Sequence, residues 1–297
     1  MRALVLPGGG LGCVIQGGAG YAFEEMGIRF DRMYACSAGL FTAIPLSTGQ
    51  IRPASRVWLK DVHGDQFLYW TSASWLGWRA DRIRLPRMRF TYLVRRRLLH
   101  PGHGNFNLRQ LGKYGEVVCF LTDYRTGLAR RLAVTSEAHP VKIMYASIVL
   151  PGLAGDPVEI GGIPYGDGGV STPLPLQAAL DDGCADITVV LTKPLSHREN
   201  PWLFRNILGR LLLRDWPEAQ KALRDYANKH NAAVDLLQRL LRFPPPEVTL
   251  RVVAQPERGP YAKLFTTDPE LLRASFVHGY REAYHVFGKT APRVLPF

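Results

Sequence analysis

The chain has 297 residues, 46% of them hydrophobic and 21% charged, which is ample for a full core and makes a disulfide-stapled mini-domain unnecessary. Its formal net charge of +12 admits nucleic acid, anionic lipid or an acidic substrate as a partner without choosing among them. Cys13, Cys36, Cys119 and Cys184 are far apart and form no C-x-x-C pair, so neither a zinc site nor a disulfide framework is expected, and a reducing cytoplasm fits best. The apolar run before Pro7 is too short for a signal peptide, and no window offers the roughly 18 uncharged apolar residues of a spanning helix. The expectation is a soluble cytoplasmic protein able to lie at the periphery of a membrane.

Residues 2–6 read as a short buried strand, followed by a glycine loop at 8–12 and a helix over 14–26 with the apolar face Ile15, Ala19, Ala22, Phe23 and Met26. A second strand at 32–36 leads into Ser37, and 38–47 reads as helical. Strands follow at 117–122 and 128–134 around a turn at Thr126-Gly127, then a helix at 141–150 stopped by Pro151-Gly152. The run 187–191, β-branched from Ile187 to Val190, predicts a strand buried on both faces. Helical stretches at 203–214 and 217–242, a strand at 248–253 and a helix at 269–287 complete the chain. Strands alternating with helices imply a three-layer α/β/α sandwich with a mostly parallel central sheet, whose ligands bind beyond the carboxyl ends of the strands. A single domain spanning 1–297 is expected, with a basic aromatic insertion or flap at about 63–104 and a helical C-terminal part at about 201–297.

Three short pieces carry chemistry: Gly8-Gly9-Gly10 after the first strand, Ala35-Cys36-Ser37-Ala38-Gly39 after the second, and Asp167-Gly168-Gly169 far downstream. Each is weak alone. The glycine loop lacks the spacing of a dinucleotide fingerprint and the Lys-Ser/Thr of a phosphate loop, and Asp-Gly most often marks a turn. Together they answer one need. A serine hydroxyl requires a base to take its proton, a strand–serine–helix elbow with small flanks exposes the oxygen, and a glycine loop at a helix N-terminus offers N–H donors for an oxyanion. By order in the chain, His278 or His285 could complete a Ser–acid–His set. That arrangement belongs to a fold with several strands before its elbow, whereas only one precedes Ser37.

With these residues in place, the chain resembles the patatin-like phospholipase family, which carries a glycine triplet after the first strand, a nucleophile elbow on the second and a late D-G-G. The similarity extends to Glu24-Glu25-Met26-Gly27-Ile28, to Thr122-Asp123-Tyr124-Arg125-Thr126-Gly127 and to 165–175, and is weakest between about 61 and 105. The resemblance implies a patatin-like fold and a lipid acyl-ester hydrolase of phospholipase A or lysophospholipase type. It implies Ser37 as nucleophile, Asp167 as base without a histidine, Gly8, Gly9 and Gly10 as the oxyanion hole, and no metal or other cofactor. The chain departs from the family pattern at Ala35, usually Gly, and at Gly12 and Cys13, where the family has a basic residue followed by Gly. These departures motivate an alternative reading, a catalytically weak lipid-binding or regulatory module on the same scaffold. A nucleic-acid-binding role, motivated by charge alone, has no motif behind it, and no nucleic-acid partner is expected.

One segment is particular to this chain. Between Arg79 and Arg97 there are eight arginines and one acid, Asp81, a local charge of 8 − 1 = +7. Trp70, Trp75 and Trp78 precede this stretch. Amphipathic aromatics and cations favour an anionic membrane surface, so Arg95, Arg96, Arg97, Trp75 and Trp78 are candidate head-group contacts. The competing reading is a solvated basic face whose aromatics pack in the core.

Overall fold

The computed structural model describes residues 1–62, 107–135 and 139–295, together with the backbone of Leu68–Ser72 and Arg84–Met88. The candidate head-group residues Trp75, Trp78, Arg95, Arg96 and Arg97 lie outside the described residues.

The elements run β1 (Arg2–Leu6), α1 (Val14–Glu25), β2 (Arg32–Cys36), α2 (Leu40–Thr48), α3 (Ile51–Lys60), β3 (Leu68–Ser72) and β4 (Arg84–Met88). Then come β5 (Glu116–Asp123), β6 (Leu128–Ala133), α4 (Pro140–Ala146), β7 (Val158–Ile160), β8 (Ile163–Asp167), α5 (Leu176–Asp181) and β9 (Asp186–Val190). The rest is α6 (Pro201–Leu203), α7 (Gly209–Leu211), α8 (Pro217–Arg224), α9 (Tyr226–Arg242), β10 (Thr249–Val253) and α10 (Pro269–Val286). Among the described residues β3 and β4 form a separate antiparallel ribbon, and the other eight strands form one mixed sheet, ordered β10-β9-β1-β2-β5-β8-β7 with β6 also paired to β5. From β10 to β5 every pairing is parallel; β6, β7 and β8 add antiparallel pairings at the far end.

Successive side chains of a strand point to opposite faces, and the core divides accordingly. Leu4, Leu6, Met33, Ala35, Val117 and Cys119 face a layer containing Ile15, Phe23, Phe41, Trp58, Phe276 and Tyr280, from α1, α2, α3 and α10. Ala3, Val5, Tyr34, Cys36, Val118 and Phe120 face Leu176, Ala179, Val234 and Leu237, from α5 and α9. The sheet is therefore covered on both sides, as the alternation of strands and helices predicts. Among the described residues no helix is long and apolar enough to cross a membrane.

Several local expectations change. The helix expected over 217–242 is broken between α8 and α9, where Asp225 takes φ −92 and ψ 0; Tyr226 then stacks on Phe204 with ring centroids 4.5 Å apart. The stretch expected at 203–214 is interrupted by a π-helical turn, Phe204–Leu208. The β7–β8 hairpin is an addition to the expected elements, although its signal is local. Ile160 pairs with Ile163 across Gly161-Gly162, which have φ +58 and +75. Two successive positive φ values define the tight turn whose twist suits a hairpin, and glycine adopts them without a Cβ clash.

Candidate active site

The pairing along β5 brings the site together. β2 pairs with the first part of β5, ending at Cys36↔Phe120. On the same edge β8 begins one residue further on, at Leu121↔Asp167, and runs the opposite way. β6 occupies the other edge from Val118 to Asp123, so β2 and β8 meet end to end. Their carboxyl ends converge, and Ser37 Oγ donates a 2.8 Å hydrogen bond to Asp167 Oδ2.

Ser37 follows β2 directly with φ +52. A left-handed non-glycine residue costs about 1–2 kcal/mol, a strain that lifts the hydroxyl out of the strand line. Ala35 is fully buried in the core beneath it, so the sheet accommodates a methyl group at that position.

Asp167 is held from three sides. Its backbone N–H donates to Val149 at 2.8 Å, its carbonyl accepts from Thr122 Oγ1 at 2.7 Å, and its Oδ1 accepts the Gly169 N–H at 2.7 Å. Tyr124 also bonds the Val149 carbonyl, at 2.9 Å. Its ring fills the space beside Gly166, where an added Cβ would lie 2.0 Å from it. Part of the Asp167 residue stays accessible, but its carboxyl is crowded by protein atoms. That burial pushes its pKa up to about 7, against the opposing hydrogen bonds from Gly169 and Ser37. The histidines that fit by chain order are engaged elsewhere: His278 Nε2 is 2.9 Å from the Ala254 carbonyl, and His285 lies beside Glu282. Among the described residues no histidine hydrogen-bonds either Ser37 or Asp167.

Opposite the elbow, the glycine loop is set by two acceptors. The Gly8 carbonyl takes a 2.9 Å hydrogen bond from Thr192 Oγ1, and the Gly9 carbonyl takes one from the Gly12 N–H at 3.1 Å. In a planar trans peptide the C=O and the next N–H point opposite ways. The N–H groups of Gly9 and Gly10 are thus turned away from Thr192 and Gly12, and neither has a hydrogen-bond partner among the described residues. The three glycines are there for different reasons. A Cβ on Gly8 would be 2.6 Å from Ser37 Cβ, one on Gly9 would be 2.4 Å from Thr192 Oγ1, and Gly10 has φ +55. A short 3-10 turn, Gly10–Cys13, leads into α1, so the N-terminal helix partial charge is directed at this loop. Beside Gly12, where a Cβ would lie 3.2 Å from the Ala262 carbonyl, the space is filled by the chain at 262–264, whose Leu264 carbonyl accepts the Leu11 N–H at 3.1 Å. Burial raises the Cys13 and Cys36 thiol pKa values well above the ordinary range, which leaves both protonated and unreactive.

The structure thus places Ser37, Asp167 and Gly8–Gly10 side by side. Thr122, Tyr124 and Thr192 escaped the sequence reading as members of the site. The first two lie in a stretch noted only for its similarity. Thr192 lies just past the strand run at 187–191, where the rule of ligands beyond strand carboxyl ends points.

A three-layer sandwich with a left-handed serine directly after its second strand is the architecture of the patatin fold. The family model described as patatin-like phospholipase matches residues 4–180, and the chain belongs to that family, whose members act on lipid substrates. Among solved structures, the crystal structure of VipD from Legionella pneumophila is similar with a TM-score of 0.50 at 13% identity, covering 97% of this chain and 67% of that one. At that identity the likeness speaks for the fold alone. No curated protein matches the sequence.

Proposed function

We propose that the protein hydrolyses acyl esters of phospholipids or lysophospholipids with Ser37 as nucleophile and Asp167 as its only base. The observation that carries this reading is the 2.8 Å Ser37–Asp167 hydrogen bond in a site without a histidine partner among the described residues. Asp167 accepts the Ser37 proton as Oγ attacks the ester carbonyl carbon. The Gly9 and Gly10 N–H groups receive the oxyanion, while Gly8 provides the close approach. Asp167 returns the proton to the departing alcohol, leaving an acyl-Ser37 ester. Water, deprotonated by Asp167, then releases the fatty acid and restores the hydroxyl. A fluorophosphonate probe tests the reading: labelling of wild type but not of Ser37→Ala supports it, and labelling of neither favours the lipid-binding module. The basic stretch at 79–97 is proposed, on charge, to contact anionic head groups.

The pH profile follows from Asp167. A general base works only deprotonated, and its pKa is pushed up to about 7. Below that value kcat/KM is expected to fall about tenfold per pH unit, and above it to level off. A profile flat down to pH 5 in initial-rate measurements would remove Asp167 from the role.

Thr192 is proposed as a positioning residue for the loop. Thr192→Val keeps the shape but loses the hydroxyl that holds the Gly8 carbonyl. A neutral hydrogen bond contributes about 0.5–1.5 kcal/mol, so kcat should fall a few-fold to about tenfold with KM little changed. Thr192→Ser should restore most of it. Equal losses in the Val and Ser variants would make the residue merely a packing element.

A further inference from the structure

The helical segment after β9 presents apolar and basic groups to solvent on the same short stretch. Trp202 is 62% exposed and Ile207 37% exposed, with Arg205 between them and Arg210 following, both exposed. Residues 201–211 contain no acid, and neither arginine has an ion-pair partner among the described residues. The inner side of the segment is anchored close to the site. Phe204 stacks on Tyr226, which lies within electrostatic reach of Cys36 and Asp167. Phe204, Leu212 and Leu213 pack in one cluster with Tyr124 and with Val170 of the turn that follows Asp167. Against the glycine loop lies a second exposed apolar residue, Leu264, 43% exposed and in contact distance of Gly10, next to the exposed Lys263. The stretches that lead into the two patches meet where the Ser196 N–H donates to Glu257 Oε1 at 3.1 Å.

Large apolar side chains left in water with a basic rim mark an interaction surface. Indole suits the boundary between head groups and acyl chains, and exposed cations are drawn to anionic leaflets. A second copy of the chain is disfavoured, because pairing this face with itself would bring arginines against arginines. We propose that residues 201–211, with Lys263 and Leu264, dock the protein on an anionic phospholipid bilayer, holding the Ser37 site at the lipid surface. This surface goes beyond the hydrolase reading, and its binding does not require turnover.

The test is sedimentation of the full chain with vesicles of ether-linked phosphatidylglycerol and phosphatidylcholine, which an ester hydrolase cannot consume, beside hydrolysis of a short soluble ester. Each cation lost at an anionic surface weakens binding by roughly five-fold, so Arg205→Gln with Arg210→Gln should lower partitioning onto phosphatidylglycerol by roughly twenty-five-fold. On pure phosphatidylcholine that pair should have no effect. Trp202→Ser with Ile207→Ser should weaken binding to both lipids. Short-ester hydrolysis should stay within about twofold of wild type in each variant. Unchanged partitioning in both variants overturns the proposal. So does a Trp202/Ile207 variant that alters oligomeric state by light scattering while vesicle binding persists, which would give the face to a second copy. Wild type that binds vesicles but cleaves no ester keeps the docking surface and sinks the hydrolase reading; the reverse result does the opposite.

Discussion

Replacing Ser37 by Ala or Asp167 by Asn is expected to reduce ester hydrolysis by roughly 10⁴-fold or more, because the two act as one unit and losing either half disables it. The two losses should be similar in size and should not add in the double variant. Stability should move differently. A carboxyl whose folded pKa is raised costs stability as the pH climbs above its ordinary value of 3.8, and the cost grows until about 7. The amide of the Asp167→Asn variant carries no charge to bury and retains an oxygen for the Gly169 N–H that Asp167 now accepts. Asp167→Asn is therefore expected to keep or raise the melting temperature at pH 8 while abolishing turnover. A variant that retains near-wild-type turnover, with a His278 or His285 variant losing it, would show that the base has been misassigned. Loss of activity together with loss of the cooperative melt would show that Asp167 serves the fold.

The second large effect is expected in the glycine loop. Gly10→Ala introduces a side chain at φ +55, where its Cβ would lie 2.5 Å from Leu264 Cδ1 and 2.7 Å from the Leu264 carbonyl oxygen. The loop must rotate to relieve that contact, and the Gly10 N–H rotates with it. Gly9→Ala meets the Thr192 side chain instead, at 2.4 Å from Oγ1. A lost oxyanion donor costs roughly 10²–10³ in rate in well-studied enzymes. Because the oxyanion exists only after attack, the loss should fall on kcat and leave KM nearly unchanged. Fluorophosphonate labelling of Ser37 should slow in parallel. A variant that raises KM with kcat intact would place this loop in substrate binding rather than in oxyanion stabilisation.

The parts legible in the sequence are those whose cause is local. A buried strand, a glycine run and an amphipathic helix announce β1, the loop and α1, and a serine between small residues at the end of a second strand announces the elbow. The run at 187–191, β-branched from Ile187 to Val190, likewise places a strand at β9, Asp186–Val190. Even the β7–β8 hairpin is legible in principle, since Gly161-Gly162 flanked by Ile160 and Ile163 is a two-residue turn signal. The helix ends at 203–242 are not. There, Tyr226 turning to stack on Phe204 outweighs a helical periodicity that would otherwise run on, because packing overrides weak local propensity.

What only the tertiary structure decided is which distant groups share the site. Ser37 and Asp167 are 130 residues apart, and no window of sequence contains the reason they meet. β5 outlasts β2, and an antiparallel β8 takes up the edge that β2 leaves. The grip of Thr122 on the Asp167 backbone and of Thr192 on the Gly8 carbonyl arises from the same strand order. The charge state of the base is decided there too, because the burial that pushes Asp167 to about 7 comes from surrounding chain and not from its neighbours in sequence. Sequence by itself determined the pieces, since backbone propensity and hydrophobic period act over a few residues. Their distances and their protonation depend on strand pairing and packing between residues far apart in the chain, and these exist only in the folded sheet.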